Sequence, residues 1–139
     1  MKPPVMVRPQ PQITLNLACS PGFCAVKAVG AAVRSVKAGD AVVLSYASCM
    51  QCPQCLVGRN AYCDNLQQLN YTGRRLDGTV AATDKSGQPL HSHFFGQSSL
   101  CRLVLAHEMN AVKVEATREE LQKFAALSCG IQTGAGAIL

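Results

Sequence analysis

Small and β-branched residues alternate from Cys24 to Val33, and a second apolar run follows from Ala41 to Tyr46. Between them Val36-Lys37-Ala38-Gly39-Asp40 supplies a reversal, so the pattern predicts two strands joined by a Gly-Asp turn. Thr79 to Thr83 and Gln97 to Ala106 carry the same strand signature, with Asp84-Lys85-Ser86-Gly87 as the turn after the first. Ala111 to Val114 is a shorter third candidate. Thr117-Arg118-Glu119-Glu120 then reads as a capping box, in which the threonine hydroxyl accepts the Glu120 amide and the glutamate reaches back. A helix is predicted to start there. Leu121, Phe124 and Ala125 give it one apolar face, and Cys129-Gly130 marks its expected end. Ile131 to Leu139 is compatible with the start of another helix.

Two segments lack this order. Residues 1–22 carry Pro3, Pro4, Pro9 and Pro11 and show no clear period, which predicts irregular or extended backbone. Residues 47–76 cluster Cys, Gly, Asn and Gln with few large aliphatics. Such a stretch cannot hold its shape by burial alone. Taken together the elements predict a mainly β (α+β) chain with an irregular lobe and a C-terminal helix.

Composition narrows the function classes. At 139 residues, with 48% hydrophobic and 15% charged, the chain has the make-up of one globular domain. Its net charge of +5 comes from 13 basic and 8 acidic residues scattered along the sequence, and only four Phe and three Tyr are available for base stacking. That is a solvated surface, and no nucleic-acid partner is expected. No apolar stretch approaches the roughly 20 residues of a membrane-spanning helix. The prolines of residues 1–12 interrupt any signal-peptide core, so a cytoplasmic location is expected, and the eight cysteines are read as thiols or metal ligands before disulfides.

Four of these cysteines, Cys49, Cys52, Cys55 and Cys63, are spaced C-x2-C-x2-C-x7-C. Three thiols lie on one short loop and the fourth returns after one reversal. Zinc binds thiolates at about 2.3 Å in a tetrahedron, and four of them leave no open position for water or substrate. The spacing therefore predicts one closed, structural Zn2+, whose binding energy supplies the fold energy the lobe lacks. A redox disulfide is one alternative, although three cysteines in series leave an awkward third thiol and no βαβ pattern surrounds them. An iron-sulfur cluster is another, although the C-x3-C-P ending of ferredoxin runs is missing.

Preceded by Val36-Lys37-Ala38-Gly39-Asp40-Ala41-Val42-Val43, this cluster resembles the structural-zinc lobe of the zinc-dependent medium-chain alcohol dehydrogenases. His93-Phe94-Phe95-Gly96-Gln97-Ser98-Ser99 and Cys129-Gly130-Ile131-Gln132-Thr133-Gly134-Ala135-Gly136 agree, and they resemble the aryl-alcohol (benzyl-alcohol) dehydrogenase branch most closely. The resemblance runs from about Val26 to Leu139 and implies a GroES-like, distorted β-barrel catalytic domain over residues 23–139, with its zinc lobe at 47–76. In that family a separate Rossmann domain binds NAD, and hydride passes to it from an alcohol held on a second zinc.

The family's catalytic zinc takes a cysteine from C-H-[ST]-D, a histidine from G-H-E and a cysteine from G-C-G-x-x-T-G. Only the last has a match, at Cys129, with Ser128 in place of the glycine before it. Cys19-Ser20-Pro21 occupies the G-H-E position, the early motif has no counterpart in residues 1–17, and neither Cys19 nor Cys24 stands at a matching place. Gly134-Ala135-Gly136 is not the G-x-G-x-x-G of a dinucleotide site. The resemblance thus implies a partial, truncated or frame-disrupted catalytic domain without its Rossmann domain, Cys129 being a remnant ligand.

By the same resemblance Phe94 and Phe95 line the alcohol pocket, the alternative being core packing after a loop. Thr133 stands where the family threonine meets the nicotinamide, the alternative being a cap on the last helix. His91 and His93 alternate on one side of an extended stretch without a third ligand, which reads as surface or pocket histidines. His107-Glu108 is read as a turn, and Cys101 as a buried small hydrophobe in a strand.

Two functions follow. One is a zinc-binding catalytic-domain fragment whose intact relatives oxidise aryl alcohols with NAD, inactive by itself. The other is a noncatalytic zinc module that self-associates or binds a protein through apolar surface left uncovered.

Overall fold

The computed structural model describes residues 12–16, 23–75, 77–80, 82–97, 103–124 and 126–139. They fall into two compact units, one drawn from Pro11–Ser45 and Ser99–Leu139, the other containing Tyr46–Ser98.

The first unit is an antiparallel sheet of five strands: β1 Gln12–Asn16, β2 Phe23–Val29, β3 Ala41–Leu44, β6 Leu103–His107 and β7 Ala111–Lys113. The strand order is β6-β1-β2-β3-β7. Ile13, Val26, Val42, Leu44, Val104 and Ala106 form the core on one face. The period of two is plain in β6, where Val104 and Ala106 are buried while Leu103 and Leu105 face out.

Within Gln12–Asn16 the backbone is extended, the second of the two alternatives expected for residues 1–22. Four prolines lie before this strand and Pro21 after it, and Gln12–Asn16 pairs with β2 on one side and β6 on the other. Two neighbouring backbones satisfy both edges of the strand. Its register against β2 shifts between Thr14 and Leu15, as at a β-bulge.

β2 stops at Val29, short of the predicted Val33. The alternation of small residues continues in sequence, but Val33 and Val36 turn inward as plugs of the core. The reversal into β3 is the expected one: Lys37 N–H donates to the Asp40 carboxylate at 2.9 Å and Asp40 N–H to the Lys37 carbonyl at 3.1 Å. Gly39 has φ +93°, which a side chain would resist. The Asp40 carboxylate, held below its ordinary pKa chiefly by the Lys37 N–H, also meets Lys113 of β7 at 3.2 Å.

The predicted capping box is present before α3, Arg118–Phe124: Glu120 N–H donates to Thr117 Oγ1 at 3.3 Å, and Thr117 N–H to Glu120 Oε2 at 2.8 Å. Leu121 is buried by this helix. α3 ends at Phe124, before the expected Cys129-Gly130, which lie instead in a separate turn. A π-turn, Leu127–Ile131, carries on into α4, Gln132–Ile138. Gly130 never enters the left-handed region that stops a helix, and the Gln132 side chain donates to the Ser128 carbonyl at 2.8 Å, satisfying a group the wider turn leaves open.

The second unit has little regular structure: α1 Pro53–Leu56, a 3₁₀ turn at Asn60–Tyr62, α2 Leu66–Asn70, and a short hairpin of β4 Ala82–Thr83 with β5 Pro89–Leu90. Among the described residues of the strand expected at Thr79–Thr83, only Ala82–Thr83 is strand-paired. Asp77 instead accepts from the Thr79 amide and hydroxyl at 2.9 and 2.7 Å, which holds residues 77–79 in a local turn. The turn after β4 is as expected, with the Asp84 carboxylate accepting from the Ser86 and Gln88 amides. Of the strand expected at Gln97 to Ala106, residues 98–102, Cys101 included, lie outside the described residues, as does Cys19.

Candidate metal centre

Cys49, Cys52, Cys55 and Cys63 are all buried and their Sγ atoms all lie within 4.8 Å of one another. Among the described residues this is the only group of three or more His, Cys, Asp or Glu side chains that converges in this way. α1 presents Cys55, and Pro53 at its first turn gives up only an amide that would have no helical partner. The 3₁₀ turn at Asn60–Tyr62 then reverses the chain and delivers Cys63. Leu66 and Leu69 of α2 close over the cluster.

Backbone amides aim at the sulfurs. Cys52 N–H donates to Cys49 Sγ at 3.3 Å, and Cys49 N–H donates to Cys63 Sγ at 3.3 Å. Further donors are the Gln51 amide and the Asn65 side chain to Cys49, the Met50 amide to Cys55, and the Asn65 amide to Cys63. Met50 reaches its position with φ +55°, a left-handed conformation adopted in the middle of the first C-x2-C.

These donors split the thiols. Burial alone would raise Cys49, but the hydrogen bonds from Gln51, Asn65, Cys52 and Cys63 outweigh it and bring its pKa down to about 6. Burial pushes Cys63 up to about 12, and it raises Cys55, with the neighbouring Cys52 thiol adding to the effect. The metal-free pocket therefore concentrates negative charge on Cys49. A divalent cation bound there stabilises the thiolate form and so displaces the protons of the other thiols.

The donor set fits one zinc ion. Bonds of about 2.3 Å put two thiolates at most about 4.6 Å apart, with a tetrahedral edge near 3.8 Å. Cys49 Sγ and Cys55 Sγ are 4.0 Å apart. A cage this small has room for a single central ion and not for the several atoms of an iron-sulfur cluster. Nor does it have an open side where a substrate would enter.

Two asparagines escape notice in the sequence. Asn65 serves two of the sulfurs. Asn70, 1% exposed, accepts from Ala47 N–H at 2.8 Å and donates to the carbonyls of Ala47 and Leu66 at 2.8 Å each. Its partner lies 23 positions away, so no local signal announces it.

The other sequence candidates are placed differently. Phe94 and Phe95 join Tyr71 in an edge-to-face trio with ring centroids 4.4 to 5.9 Å apart. Phe94 is 54% exposed, which is not core packing, and Phe95 has φ +54°. His91 follows β5 on the surface with its Nε2 3.1 Å from Arg74 Nη2, while His93 precedes a 3₁₀ turn. Cys129 is exposed on the π-turn, and Thr133 is exposed on α4, which has no side-chain N-cap. His107 ends β6, and Glu108 opens a 3₁₀ turn, as expected. Unforeseen was that the Glu108 carboxylate accepts from Arg34 N–H at 2.6 Å and from Ser35 N–H. This clasps the β2–β3 connection and lowers the Glu108 pKa, the Ser35 amide being the main cause.

Residues 17–116 match the model of the alcohol dehydrogenase GroES-like domain family. A probable alcohol dehydrogenase of a Pseudomonas species is 40% identical over 116 residues, 82% of this chain and 36% of that protein. Geraniol dehydrogenase of Castellaniella defragrans is 45% identical over 119 residues, 85% of this chain and 31% of that protein. The chain thus spans about a third of the length of these relatives. Among solved structures, an alcohol dehydrogenase zinc-binding domain protein from Burkholderia ambifaria superposes with a TM-score of 0.76 at 39% identity, covering 91% of this chain and 40% of that one. Benzyl alcohol dehydrogenase from Acinetobacter calcoaceticus gives 0.75 at 32% identity, covering 94% and 41%. With a mainly β, antiparallel fold and a four-cysteine cluster inside the matched span, this chain belongs to the alcohol dehydrogenase GroES-like domain family.

Proposed function

We propose that the chain is the zinc-lobe-bearing catalytic-domain portion of an NAD-dependent alcohol dehydrogenase, and that its four cysteines hold one structural Zn2+. The observation that carries the reading is the convergence of four buried sulfurs within 4.8 Å in a chain of this family. When bound, the ion supplies cross-linking of the loop and no chemistry on substrate. Cys49, Cys52, Cys55 and Cys63 are its ligands.

An aryl alcohol is the proposed substrate class of the intact enzyme. Support comes from the exposed Tyr71 and Phe94 rings and the half-buried Phe95 ring, whose faces and edges suit a flat ligand. Thr133 is the proposed neighbour of the nicotinamide, which a Rossmann domain would present. By itself the chain is proposed to be inactive. Cys129 is the one residue at a catalytic-zinc position, and Cys19-Ser20-Pro21 replaces the histidine motif. The reduced thiols suit a cytoplasmic compartment. A second reading, a zinc module that pairs with itself or another protein, is favoured by the outward Leu103, Leu105 and Val112, each more than half exposed.

Metal analysis with an NAD-dependent benzyl alcohol assay tests the zinc site and the inactivity, and sedimentation of the chain by itself tests the second reading. One zinc per chain without turnover is expected. Two zinc ions with turnover refute the claim of inactivity, and none refutes the structural site.

A further inference from the structure

We infer that Asn70 is a positioning residue of the metal centre, fixing the peptide that leads into the first ligand. The inference rests on reading the four cysteines as a metal site.

Residues 45–49 run without secondary structure into the cluster, and Ala47, Ser48 and Cys49 are all buried. A buried backbone amide and carbonyl outside any ladder need partners from elsewhere. The Asn70 carboxamide supplies both for Ala47, accepting the N–H at 2.8 Å and donating to the C=O at 2.8 Å. This is the pairing a neighbouring strand would give, made by one side chain. Two bonds to one residue fix its orientation as well as its position.

The remaining Nδ2 hydrogen goes to the Leu66 carbonyl of the same helix at 2.8 Å, so the carboxamide itself is held. α2 therefore touches the loop at both of its ends. Asn65 before it serves Cys49 and Cys63, and Asn70 at its last turn holds the approach to Cys49. Cys49 is placed by this approach, and its own N–H then reaches Cys63 Sγ at 3.3 Å.

Only a carboxamide of this length fits. Aspartate matches the shape but is an acceptor alone when ionised, so two carbonyls would face a carboxylate. Supporting partners of metal ligands are worth about 10–100-fold in metal affinity when removed.

The test loads the whole chain with zinc and follows its transfer to a chromophoric chelator. Asn70→Asp is expected to release zinc about 10–100-fold faster than wild type. Thr72→Ala removes a hydroxyl bond to Gln68 of the same helix without touching Ala47, and it is expected to leave release unchanged. Equal release from Asn70→Asp and wild type overturns the inference. So does equal acceleration by Thr72→Ala, which would reduce Asn70 to general support of α2. Cobalt(II) substitution should show shifted absorption bands in Asn70→Asp, and unshifted bands contradict a role in ligand placement. Should that variant not fold, amide exchange on the zinc-loaded wild-type chain decides. Ala47 N–H is expected to stay protected, and rapid exchange there overturns the inference. If wild type binds no metal at all, the site reading itself has failed, a distinct result.

Discussion

Zinc binding to this chain should depend steeply on pH, and the slope can be worked from the pocket. In the metal-free chain Cys49, with a pKa of about 6, is mostly thiolate at pH 7, whereas Cys63, at about 12, holds its proton. Cys55 is raised as well. A closed four-thiolate site needs every proton gone, so loading displaces at least those of Cys55 and Cys63. Each displaced proton contributes a factor of ten per pH unit, so apparent affinity rises by at least about a hundredfold from pH 6.5 to 7.5. The sign is fixed: the metal-free state binds more protons, so acid favours it and alkali favours the loaded state. The assay is competition with a chelator of known proton affinity at several pH values, checked by calorimetry in buffers of different ionisation enthalpy. A slope of one or less, or release of fewer than two protons, would refute the reasoning. It would mean that the thiols are already charged without metal.

Three further outcomes are expected. Glu108→Gln should cost about 1 kcal/mol at pH 7, since two amides lose a charged acceptor. Because the folded pKa is depressed below 4.5, the contribution is complete above that value and is lost as pH falls through the lower one; urea melts of both chains should then converge. Met50→Val should destabilise the zinc-loaded chain by about 1–3 kcal/mol in thermal melts, because a β-branched residue resists φ +55°, while Met50→Gly should be tolerated. Thr117→Ala should lower stability by about 1 kcal/mol by removing the α3 cap, read by denaturant titration.

How much of this was legible in sequence depends on the distance over which each interaction acts. Capping box, Gly-Asp turn and the β4–β5 turn are local, since donor and acceptor sit within a few residues, and all three are where the sequence places them. The four sulfurs span fifteen positions, and their spacing already points to a zinc site, with a redox disulfide and an iron-sulfur cluster as the alternatives. That the extended backbone of β1 is a paired strand was not legible, because its stability comes from β2 and β6, which are remote in sequence. Glu108 and Asn70 were missed for the same reason: their partners, Arg34 and Ala47, are remote in sequence. The early stop of β2 reflects competition. Val33 and Val36 gain more as core plugs than as strand residues in a ladder.

The pairing of β1 with β6 also dictates an order of events during synthesis. A ribosome that has released Cys63 has made a whole ligand set, whose loops are short and cheap to close. β1, although it leaves first, finds its second neighbour only when Leu103–His107 emerges. Until then one edge of that strand is bare, open to the wrong partner. The four thiols are complete early, while the sheet waits for residues 103–107.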